Sequence, residues 1–587
     1  MLKPLRVVLG VLLLMLFAGP VSQMLSEAEA FAQSVDTAWV KRYNGPADST
    51  DYGYAITVDD SGYVYVTGYS YGSGTGYDYA TIKYKPNGDT AWVRRYSGPG
   101  NSVDVAVVSP LIHLTRTESE TNARILFFLG MDIAIDDSNN VYVTGCSYGS
   151  GTSYDYTTIK YYPNGDTAWV SRYNGPGNSV DVAMDIAIDD SNNVYVTGYS
   201  YGSGTNSDYA TIKYKPNGDT AWVRRYNGPG NDYDWAYAMA LDGSGNVYVT
   251  GRSDGSGTHG DYATIKYKPN GDTAWVMRYN GPGNSIDVAM DIAIDDSNNV
   301  YVTGGSYGSG TNSDYTTIKY KPNGDTAWVS RYNGPGNNYD CAHAIALDDS
   351  GNVYVTGYSD GSGTSYDYTT IKYYPNGDTA WVRRYNGPGN DYDWAYAIAL
   401  DDSGYVYVTG KRGSGTDSDY ATIKYYPDGD TVWVRVYNGP INGGDRAYDL
   451  AVDDSGNVYV TGYSEGSGTG DDYCTIKYFQ TASGVKDETG SRERPSEFDL
   501  SQNYPNPFNP TTKIEFTLSK SGFVTLQIYD VLGRKVRTLV SEDLSSGYKS
   551  VLWDGKNNDG KDVASGAYFY QLKVGDFSEP KKMLLLK

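Results

Sequence analysis

Residues 396–437 read YAIALDDSGYVYVTGKRGSGTDSDYATIKYYPDGDTVWVRVY, and four short segments in this stretch alternate apolar and polar side chains. Such alternation is typical of a β-strand with one buried face. The segments are YAIALDD (strand A), VYVTG (strand B), DYATIKY (strand C) and TVWVRVY (strand D), separated by a Ser-Gly turn, a Gly/Ser loop and an Asp-Gly turn. Most other copies have Pro-Asn-Gly-Asp at the last turn, a strong hairpin signal. One unit is therefore predicted to be a four-stranded antiparallel sheet.

This unit is repeated along the chain. The tryptophan of strand D recurs at Trp39, Trp92, Trp169, Trp222, Trp275, Trp328, Trp381 and Trp433. The spacing is 53 residues from Trp169 to Trp381, but 77 between Trp92 and Trp169. The longer copy contains an insertion at residues 107–130, whose sequence fits either one short helix or a poorly ordered segment. Four short strands repeated about every 50 residues are the signature of a β-propeller.

The two ends of the array predict how the ring closes. Residues 36–43 form a lone strand D, whereas the last unit, residues 448–478, has strands A, B and C but no strand D. The first strand is therefore expected to complete the last sheet, which removes two open sheet edges. The prediction for residues 36–479 is an all-β, eight-bladed β-propeller with four-stranded blades, followed by a C-terminal immunoglobulin-like β-sandwich.

The repeats resemble the family called SBBP, or β-propeller, repeats. The pattern D-D-S-G-N-V-Y-V-T-G followed by D-Y-x-T-I-K-Y-x-P-N-G-D carries the resemblance over residues 36–479. The family is named for seven blades, so a count of eight departs from it. The resemblance implies the fold and little about activity, since such repeats are not tied to one ligand.

Composition and charge narrow the possible functions. The formal net charge of −23 repels phosphate backbones, so nucleic acid is not an expected partner. The three cysteines lack C-x-x-C spacing, and the repeated Asp-Asp-Ser-Gly-Asn turn lacks the spaced acidic ligands of a calcium loop, so no metal or cofactor is predicted. Outside the insertion, Glu465, His259 and His343 are the only Glu and His of the repeats, and no catalytic residue is assigned. A secreted hydrolase or lyase acting on polysaccharide remains the alternative function.

One face of the predicted ring carries the longer loops. The B–C and D–A loops share this face and are rich in Tyr, Ser, Gly, Asn and Asp, a composition suited to recognition. The candidate binding residues are two equivalent triplets: Tyr233, Asp234, Trp235 and Tyr392, Asp393, Trp394. The expected ligand is an extracellular glycan or protein. In the alternative interpretation these rings only pack between blades.

The N-terminus has the pattern of an export signal. Residues 1–6 include Lys3 and Arg6, an apolar run covers residues 7–18, and small-residue cleavage sites follow. We therefore expect residues 1–32 to be a signal peptide, with a retained membrane anchor as the alternative.

A different module follows the repeats. Residues 480–497 are rich in charge, Gly and Ser and are interpreted as a linker, and residues 498–587 contain about seven short alternating segments. The blocks LSQNYPNPFNPTTKI, IYDVLGR, WDGKNNDG, SGAY and KKMLLLK resemble the type IX secretion (Por) type A sorting domain and the Ig-like domain of flagellar hook-assembly proteins.

The sorting-domain resemblance implies that the type IX secretion machinery is a partner. Gly533, Arg534, Lys582 and Lys587 match the motifs of that family. The implied location is secreted or on the outer cell surface, reached through the periplasm. A plain Ig-like accessory domain is the alternative. The sequence as a whole favours a monomeric secreted or surface-displayed scaffold used for binding or adhesion.

Overall fold

The computed structural model describes residues 35–100, 131–414, 417–480, 498–500, 503, 512–520, 522–544, 547–553, 555–558, 561–575 and 577–586. The predicted signal peptide, the insertion at residues 107–130, Lys587 and all of the predicted linker except Gln480 lie outside these ranges. The regular elements of the described ranges are strands, and no helix there is long and apolar enough to cross a membrane. The chain divides into two compact units, Met1–Thr481 and Ala482–Lys587.

The first unit consists of four-stranded sheets in which Val, Ile, Thr and Tyr alternate with polar residues. Its strands in chain order are β1 (Val35–Tyr43), β2 (Asp51–Val58), β3 (Val64–Gly72), β4 (Gly76–Tyr84), β5 (Thr90–Tyr96), β6 (Asp132–Ile135), β7 (Val141–Tyr148), β8 (Tyr154–Tyr161), β9 (Thr167–Tyr173), β10 (Asp181–Ile188), β11 (Val194–Tyr201), β12 (Ser207–Tyr214), β13 (Thr220–Tyr226), β14 (Asp234–Leu241), β15 (Val247–Asp254), β16 (Gly260–Tyr267), β17 (Thr273–Tyr279), β18 (Asp287–Ile294), β19 (Val300–Tyr307), β20 (Ser313–Tyr320), β21 (Thr326–Tyr332), β22 (Asp340–Leu347), β23 (Val353–Asp360), β24 (Tyr366–Tyr373), β25 (Thr379–Tyr385), β26 (Trp394–Leu400), β27 (Val406–Ser414), β28 (Asp417–Tyr425), β29 (Thr431–Tyr437), β30 (Asp445–Val452), β31 (Val458–Gly466) and β32 (Gly470–Gln480).

These strands form eight sheets, which we number as blades in chain order. Blade 1 is β2–β5, and each later blade takes the next four strands up to blade 7, β26–β29. Blade 8 has the order β1-β32-β31-β30, so the first strand of the chain completes the last sheet. Strand A of each blade contacts strand A of both neighbouring blades, which places the A strands around the axis. The predicted all-β, eight-bladed ring and its closure are confirmed.

Repeated side-chain hydrogen bonds join each blade to the next. A strand C tyrosine donates its hydroxyl to a strand C carbonyl of the following blade, as Tyr209 does to Ala263 at 3.0 Å. The same bond crosses the closing seam from Tyr473 to the carbonyl of Ala80 at 2.8 Å. The N- and C-terminal parts of the array therefore meet through the contact that the repeat uses elsewhere.

The hydrophobic core lies between adjacent blades rather than inside one. Between blades 3 and 4, for example, Tyr209 and Trp222 pack against Val249, Ile265 and Tyr267 of the next blade. Because each sheet buries its faces only against its neighbours, an isolated blade would expose this apolar surface. Closure of the ring therefore covers both faces of every blade.

The second unit is an immunoglobulin-like sandwich. Its strands are β33 (Asp499–Leu500), β34 (Thr512–Leu518), β35 (Gly522–Asp530), β36 (Lys535–Leu544), β37 (Gly547–Trp553), β38 (Gly566–Val574) and β39 (Phe577–Leu585). They form the sheets β33-β34-β37 and β36-β35-β38-β39. Buried Phe516, Leu526, Trp553 and Tyr570 belong to the core of this unit. The predicted C-terminal Ig-like fold is confirmed.

Candidate binding face

The aspartates of the two predicted triplets hold the D–A loops in place. Asp234 accepts a hydrogen bond from the backbone N–H of Gly228 at 2.6 Å. Asp393 accepts from Gly387 at 2.5 Å and from Gly413 at 2.9 Å. Both carboxyl groups are fully buried, and this burial raises the pKa of each to about 6. These side chains therefore shape the face rather than present a group on it.

The Trp235 indole of the blade 4 triplet is surrounded by groups that are paired with one another. The Trp235 indole N–H donates to the Ser207 hydroxyl at 2.6 Å, and the Tyr233 and Trp235 ring centroids are 5.6 Å apart. Arg252 lies opposite Trp235 in the sheet, with its guanidinium 5.4 Å from the indole centroid. Asp254 pairs with that guanidinium at 2.9 Å. The cation of this blade is therefore neutralised within the blade.

The blade 7 triplet has a cation in the same place but no acidic partner for it. Lys411 lies opposite Trp394 in the sheet, and its ammonium is 4.4 Å from the indole centroid. Among the described residues, no carboxylate lies within ion-pair distance of this ammonium. Burial, and then the nearby Arg446 charge, lower the pKa of Lys411 to about 8.

Arg446 introduces a second cation from blade 8. It lies opposite Tyr463, whose ring centroid is 5.9 Å from the guanidinium carbon. Its pKa is raised although burial opposes this, because Tyr396, Tyr448 and Tyr463 surround it and Tyr448 accepts a hydrogen bond. No described carboxylate forms an ion pair with Arg446 either.

Aromatic rings connect these cations into an asymmetric sector of the face. His343, Tyr396, Tyr448 and Tyr54 occupy the same strand A position in blades 6, 7, 8 and 1, and each contacts the next at ring-centroid distances of 5.5, 5.8 and 4.9 Å. At the same position, blades 2, 3 and 5 have methionine: Met131, Met184 and Met290. We call the four-blade run from His343 to Tyr54 the aromatic sector.

The tyrosine of each predicted triplet is exposed. Tyr392 is 47% exposed, and its ring stacks on Tyr366 at 5.5 Å and 26°. Tyr233 is 37% exposed. Tyr233 and Tyr392 therefore present ring surface to solvent, whereas Trp235 and Trp394 are half-buried beneath them.

Sequence reasoning did not single out Lys411 or Arg446, and it assigned no role to His343. A signal was nevertheless present, because the repeat makes departures from its pattern visible. At the strand A–strand B pair in question, the residues are Tyr52–Tyr69, Val182–Tyr199, Trp235–Arg252, Val288–Gly305, Cys341–Tyr358, Trp394–Lys411 and Arg446–Tyr463. Cations therefore interrupt an otherwise neutral set in blades 4, 7 and 8.

Acidic groups near the axis link neighbouring blades. Asp185 accepts from the backbone N–H of Met239, Asp291 from Ile345 at 2.8 Å and Asp449 from Ile56 at 2.9 Å. Burial raises the pKa of Asp291 and of Asp449 to about 7.

The aspartates of the A–B turns are likewise engaged with their own turns. Asp189 accepts hydrogen bonds from the N–H groups of Ser191 and Asn193 and from the hydroxyl of Tyr195. This is the self-bonding that the turn sequence predicts. The described residues contain no group of three or more His, Cys, Asp or Glu placed to hold a metal ion.

Two of the predicted motif residues of the C-terminal unit, Gly533 and Arg534, lie on a tight turn between β35 and β36. Gly533 has φ +75°, and Arg534 pairs with Asp530 at 2.7 Å while its side chain stays 74% exposed. The same turn exposes Val531 and Leu532 by 65% and 74%. A shallow cavity of about 370 Å³ adjoins the turn, and its lining includes Gly533, Phe569 and Pro580. Lys582 lies opposite Phe569 in β39.

Two family models match parts of this chain. The SBBP model, described as a beta-propeller repeat, matches residues 38–74, 168–204, 221–257, 327–363, 380–411 and 433–468. The FlgD Ig-like domain model matches residues 503–576. The repeats and the C-terminal domain predicted from sequence are therefore found, while the finer assignment to a secretion sorting domain stays a prediction.

Four more distant likenesses share at most 24% identity with this chain. An uncharacterized WD repeat-containing protein of Acanthamoeba polyphaga mimivirus is 24% identical over 330 residues, which span 44% of this chain and 23% of that protein. PorZ, a surface component of the type IX secretion system of Porphyromonas gingivalis, is 16% identical with a TM-score of 0.38, covering 91% of this chain and 74% of PorZ. Sqt1 from Chaetomium thermophilum is 10% identical with a TM-score of 0.42, covering 76% of this chain and all of Sqt1. The polysaccharide lyase Uly1 is 10% identical with a TM-score of 0.40, covering 77% of this chain and all of the lyase.

Proposed function

We propose that this chain is a secreted or cell-surface binding scaffold whose loop-bearing face recognises an extracellular glycan or protein. The observation that carries the proposal is the aromatic sector, which breaks the symmetry of the repeats on that face. A closed ring of eight blades holds these rings on rigid strands, and aromatic side chains give large contact area at low entropic cost. Tyr392, which is exposed at the edge of this sector, is the point at which a ligand would meet it first.

A binding array tests this proposal. The full chain, labelled at one engineered site, is applied to glycan and extracellular-protein arrays beside the variants Tyr392→Ala and Tyr233→Ala. We expect Tyr392→Ala to reduce binding about tenfold, because it removes the ring stacked on Tyr366 at the edge of the sector. Tyr233→Ala is the matched control outside the sector. An array on which the wild-type chain binds nothing would contradict the proposal.

We further propose that the C-terminal unit directs export through the type IX secretion machinery. The exposed turn with Val531, Leu532 and Arg534 supports this, because a monomeric sandwich gains nothing from placing two large apolar side chains in water. A reporter fused to residues 498–587 and carrying an N-terminal export signal should reach the medium or cell surface of a bacterium that has this system. Arg534→Ala should leave the reporter in the periplasm, whereas Arg537→Ala is the control. Release of both variants at equal levels would leave a plain Ig-like accessory domain as the better interpretation.

One observation favours a second candidate, a hydrolase or lyase acting on polysaccharide. His343 lies in the aromatic sector and stacks on Tyr396 at 5.5 Å, with Nδ1 2.8 Å from the carbonyl oxygen of Ala395. Burial lowers the pKa of His343 to about 4, so the imidazole is neutral at pH 7 but a weaker base than a general base whose pKa lies near the working pH. Release of new reducing ends or unsaturated sugars from a polysaccharide panel, abolished by His343→Ala, would establish this activity.

A further inference from the structure

Blades 7 and 8 bring two cations together without an acidic partner. Lys411 on strand B of blade 7 and Arg446 on strand A of blade 8 are both half-buried. One blade further on, the same two positions are occupied by Tyr463 and Tyr52, whose ring centroids are 4.4 Å apart. Like charges held together away from water cost free energy unless an anion joins them. Such an arrangement is either a defect of the repeat or a place for a ligand that supplies the anion.

The carboxylates near this pair are already used by other groups. Asp391 accepts from the N–H of Tyr392 at 2.8 Å, and Asp393 holds two glycine N–H groups. Glu465 accepts from the N–H of Gly444 at 3.1 Å, and Asp471 from the Tyr52 hydroxyl at 2.6 Å. None of them lies within 4.0 Å of either cation in the described part of the chain. Rearranging one of these acids would therefore break an existing bond.

Random loss of the repeat pattern does not explain the unpaired cation of blade 7. A second departure from the pattern in this blade, the loss of the strand D arginine, is compensated by another substitution. In blade 6, strand D supplies Arg384, which pairs with Asp367 at 2.8 Å. In blade 7, Val436 stands at the strand D position, and Arg412 from strand B pairs with Asp419 at 2.9 Å instead. The ion pair has thus been kept by moving its arginine next to Lys411. Strand β27, which contains Lys411, still pairs with both β26 and β28.

The cation pair is also surrounded by unused hydrogen-bond donors. The indole N–H of Trp394 and Nε of Arg446 are buried without an acceptor among the described residues. The corresponding indole of blade 4 donates to Ser207. A site with two cations and spare N–H donors matches a ligand that consists largely of acceptor oxygens.

The chemistry of the walls narrows the ligand class further. Trp394, Tyr396, Tyr448 and Tyr463 surround the cations with ring faces and hydroxyl groups. Ring faces beside polar groups suit a sugar, which has apolar C–H faces and a polar edge. The net charge of −23 disfavours a polymer with an anion on every unit. The ligand should therefore carry only isolated acidic groups.

We propose that Lys411 and Arg446 form a subsite for the carboxylate of a single uronic acid residue within an otherwise neutral glycan. This inference rests on the proposed function and specifies its ligand. The Arg446 guanidinium and the Lys411 ammonium bind the carboxylate oxygens. The rings of the aromatic sector hold the sugar, and neutral residues of the glycan continue along the face.

Calorimetric titration of the full chain with three matched probes tests the subsite. The probes are a xylo-oligosaccharide bearing one glucuronic acid branch, its methyl ester, and the unbranched oligosaccharide. We expect the acidic probe to bind about tenfold or more tightly than its ester. Tyrosine occupies the Lys411 position in blades 1, 3, 6 and 8 and the Arg446 position in blade 1. Lys411→Tyr and Arg446→Tyr should remove the difference between acid and ester. Arg252→Tyr should preserve it, because Arg252 is already paired.

Two further measurements separate a binding role from a structural one. Lys411→Arg should retain the preference for the acid, and thermal unfolding should show that each variant is folded. The preference should fall between pH 7 and pH 9 for the wild-type chain, as Lys411 loses its proton, and stay constant for Lys411→Arg.

The outcomes also distinguish this inference from the proposed function. Equal binding of acid and ester, no change in the Lys411 and Arg446 variants, or preference for acidic peptides over the glycan would overturn the subsite. If the chain still binds some glycan or protein on the arrays in those cases, the binding scaffold stands without it. If the chain binds no ligand at all, both proposals fail.

Discussion

The entrances to strand A in blades 4 and 7 have the same Tyr-Asp-Trp triplet but different surroundings. In blade 4, Arg252 and Asp254 close the space beside Trp235 with an ion pair. In blade 7, Lys411 beside Trp394 has no carboxylate partner among the described residues. The comparison shows that identical triplets can have the same structural role in a repeat protein. The residues beside each triplet decide whether its cation is paired within the blade or remains able to bind a ligand.

The largest expected change in stability tests whether the aspartates of the two triplets hold their loops in the same way. Asp234→Ala and Asp393→Ala each remove a buried acceptor of loop N–H groups, so each should lower the free energy of unfolding by about 2–4 kcal/mol. Urea denaturation followed by near-UV circular dichroism measures both. A loss confined to one of the two variants would show that the loops are held differently.

The next prediction concerns pH and also treats the triplets as equals. The pKa of Asp234 and of Asp393 is about 6 in the folded chain and lower in the unfolded chain, so the folded chain binds more protons between about pH 4 and pH 6. The free energy of unfolding therefore falls as pH rises through this window, by on the order of 1–3 kcal/mol for each group. Unfolding midpoints at pH 5 and pH 7.5 measure the slope. Asp234→Asn and Asp393→Asn should reduce it equally, and an unchanged slope in either variant would contradict the assignment.

A third prediction is that removing the cation changes the free energy of unfolding in opposite directions in blades 4 and 7. Arg252→Met leaves Asp254 without its partner and should lower the free energy of unfolding by about 1 kcal/mol. Lys411→Met removes an unpaired, half-buried charge beside Arg446 and should leave stability unchanged or raise it by up to about 1 kcal/mol. Parallel denaturation curves decide the matter. Destabilisation of similar size in both variants would mean that Lys411 has a structural partner after all.

The smallest effect comes from the indole N–H groups. Trp235→Phe loses the hydrogen bond to Ser207, whereas Trp394→Phe loses no hydrogen bond to a described residue. The first variant should therefore be less stable than the second by about 0.5–1 kcal/mol, since both lose similar ring area. The same denaturation assay applies, and the reverse order would contradict this account of blade 7.

The closing seam shows how a prediction from sequence can hold while its details differ. The lone strand Val35–Tyr43 completes blade 8 as its position in the array predicts. In the other blades the strand D indole donates to a proline carbonyl of the next C–D turn, as Trp381 does to Pro427 at 3.1 Å. Blade 8 has no such turn, because its strand D comes from the start of the chain. Trp433 therefore lacks this bond, and Arg435 donates to the carbonyl of Val35 instead.

The candidate site was less predictable than the fold. The sequence predicted a binding face and both triplets from loop length and aromatic content, which are local properties. It did not reveal that Asp234 and Asp393 accept hydrogen bonds from backbone N–H groups. These donors lie six residues earlier in the chain or on strand B. The roles of Lys411 and Arg446 also escaped it. They lie 35 positions apart in the sequence and on different blades. In blade 4 the cation is paired with Asp254, whereas blade 7 has Gly413 at the equivalent position and so lacks this carboxylate.

The sequence by itself determined the blade, the number of blades and the way the ring closes, because period-two alternation, turn residues and copy number are written in order along the chain. Only the tertiary structure decided which of the equivalent residues are bonded to the loops and strands and which remain able to bind a ligand. The reason is physical: a charge or a hydrogen-bond donor is satisfied by whatever lies a few ångströms away. In a propeller those neighbours come from the adjacent blade, about 50 residues distant in the chain.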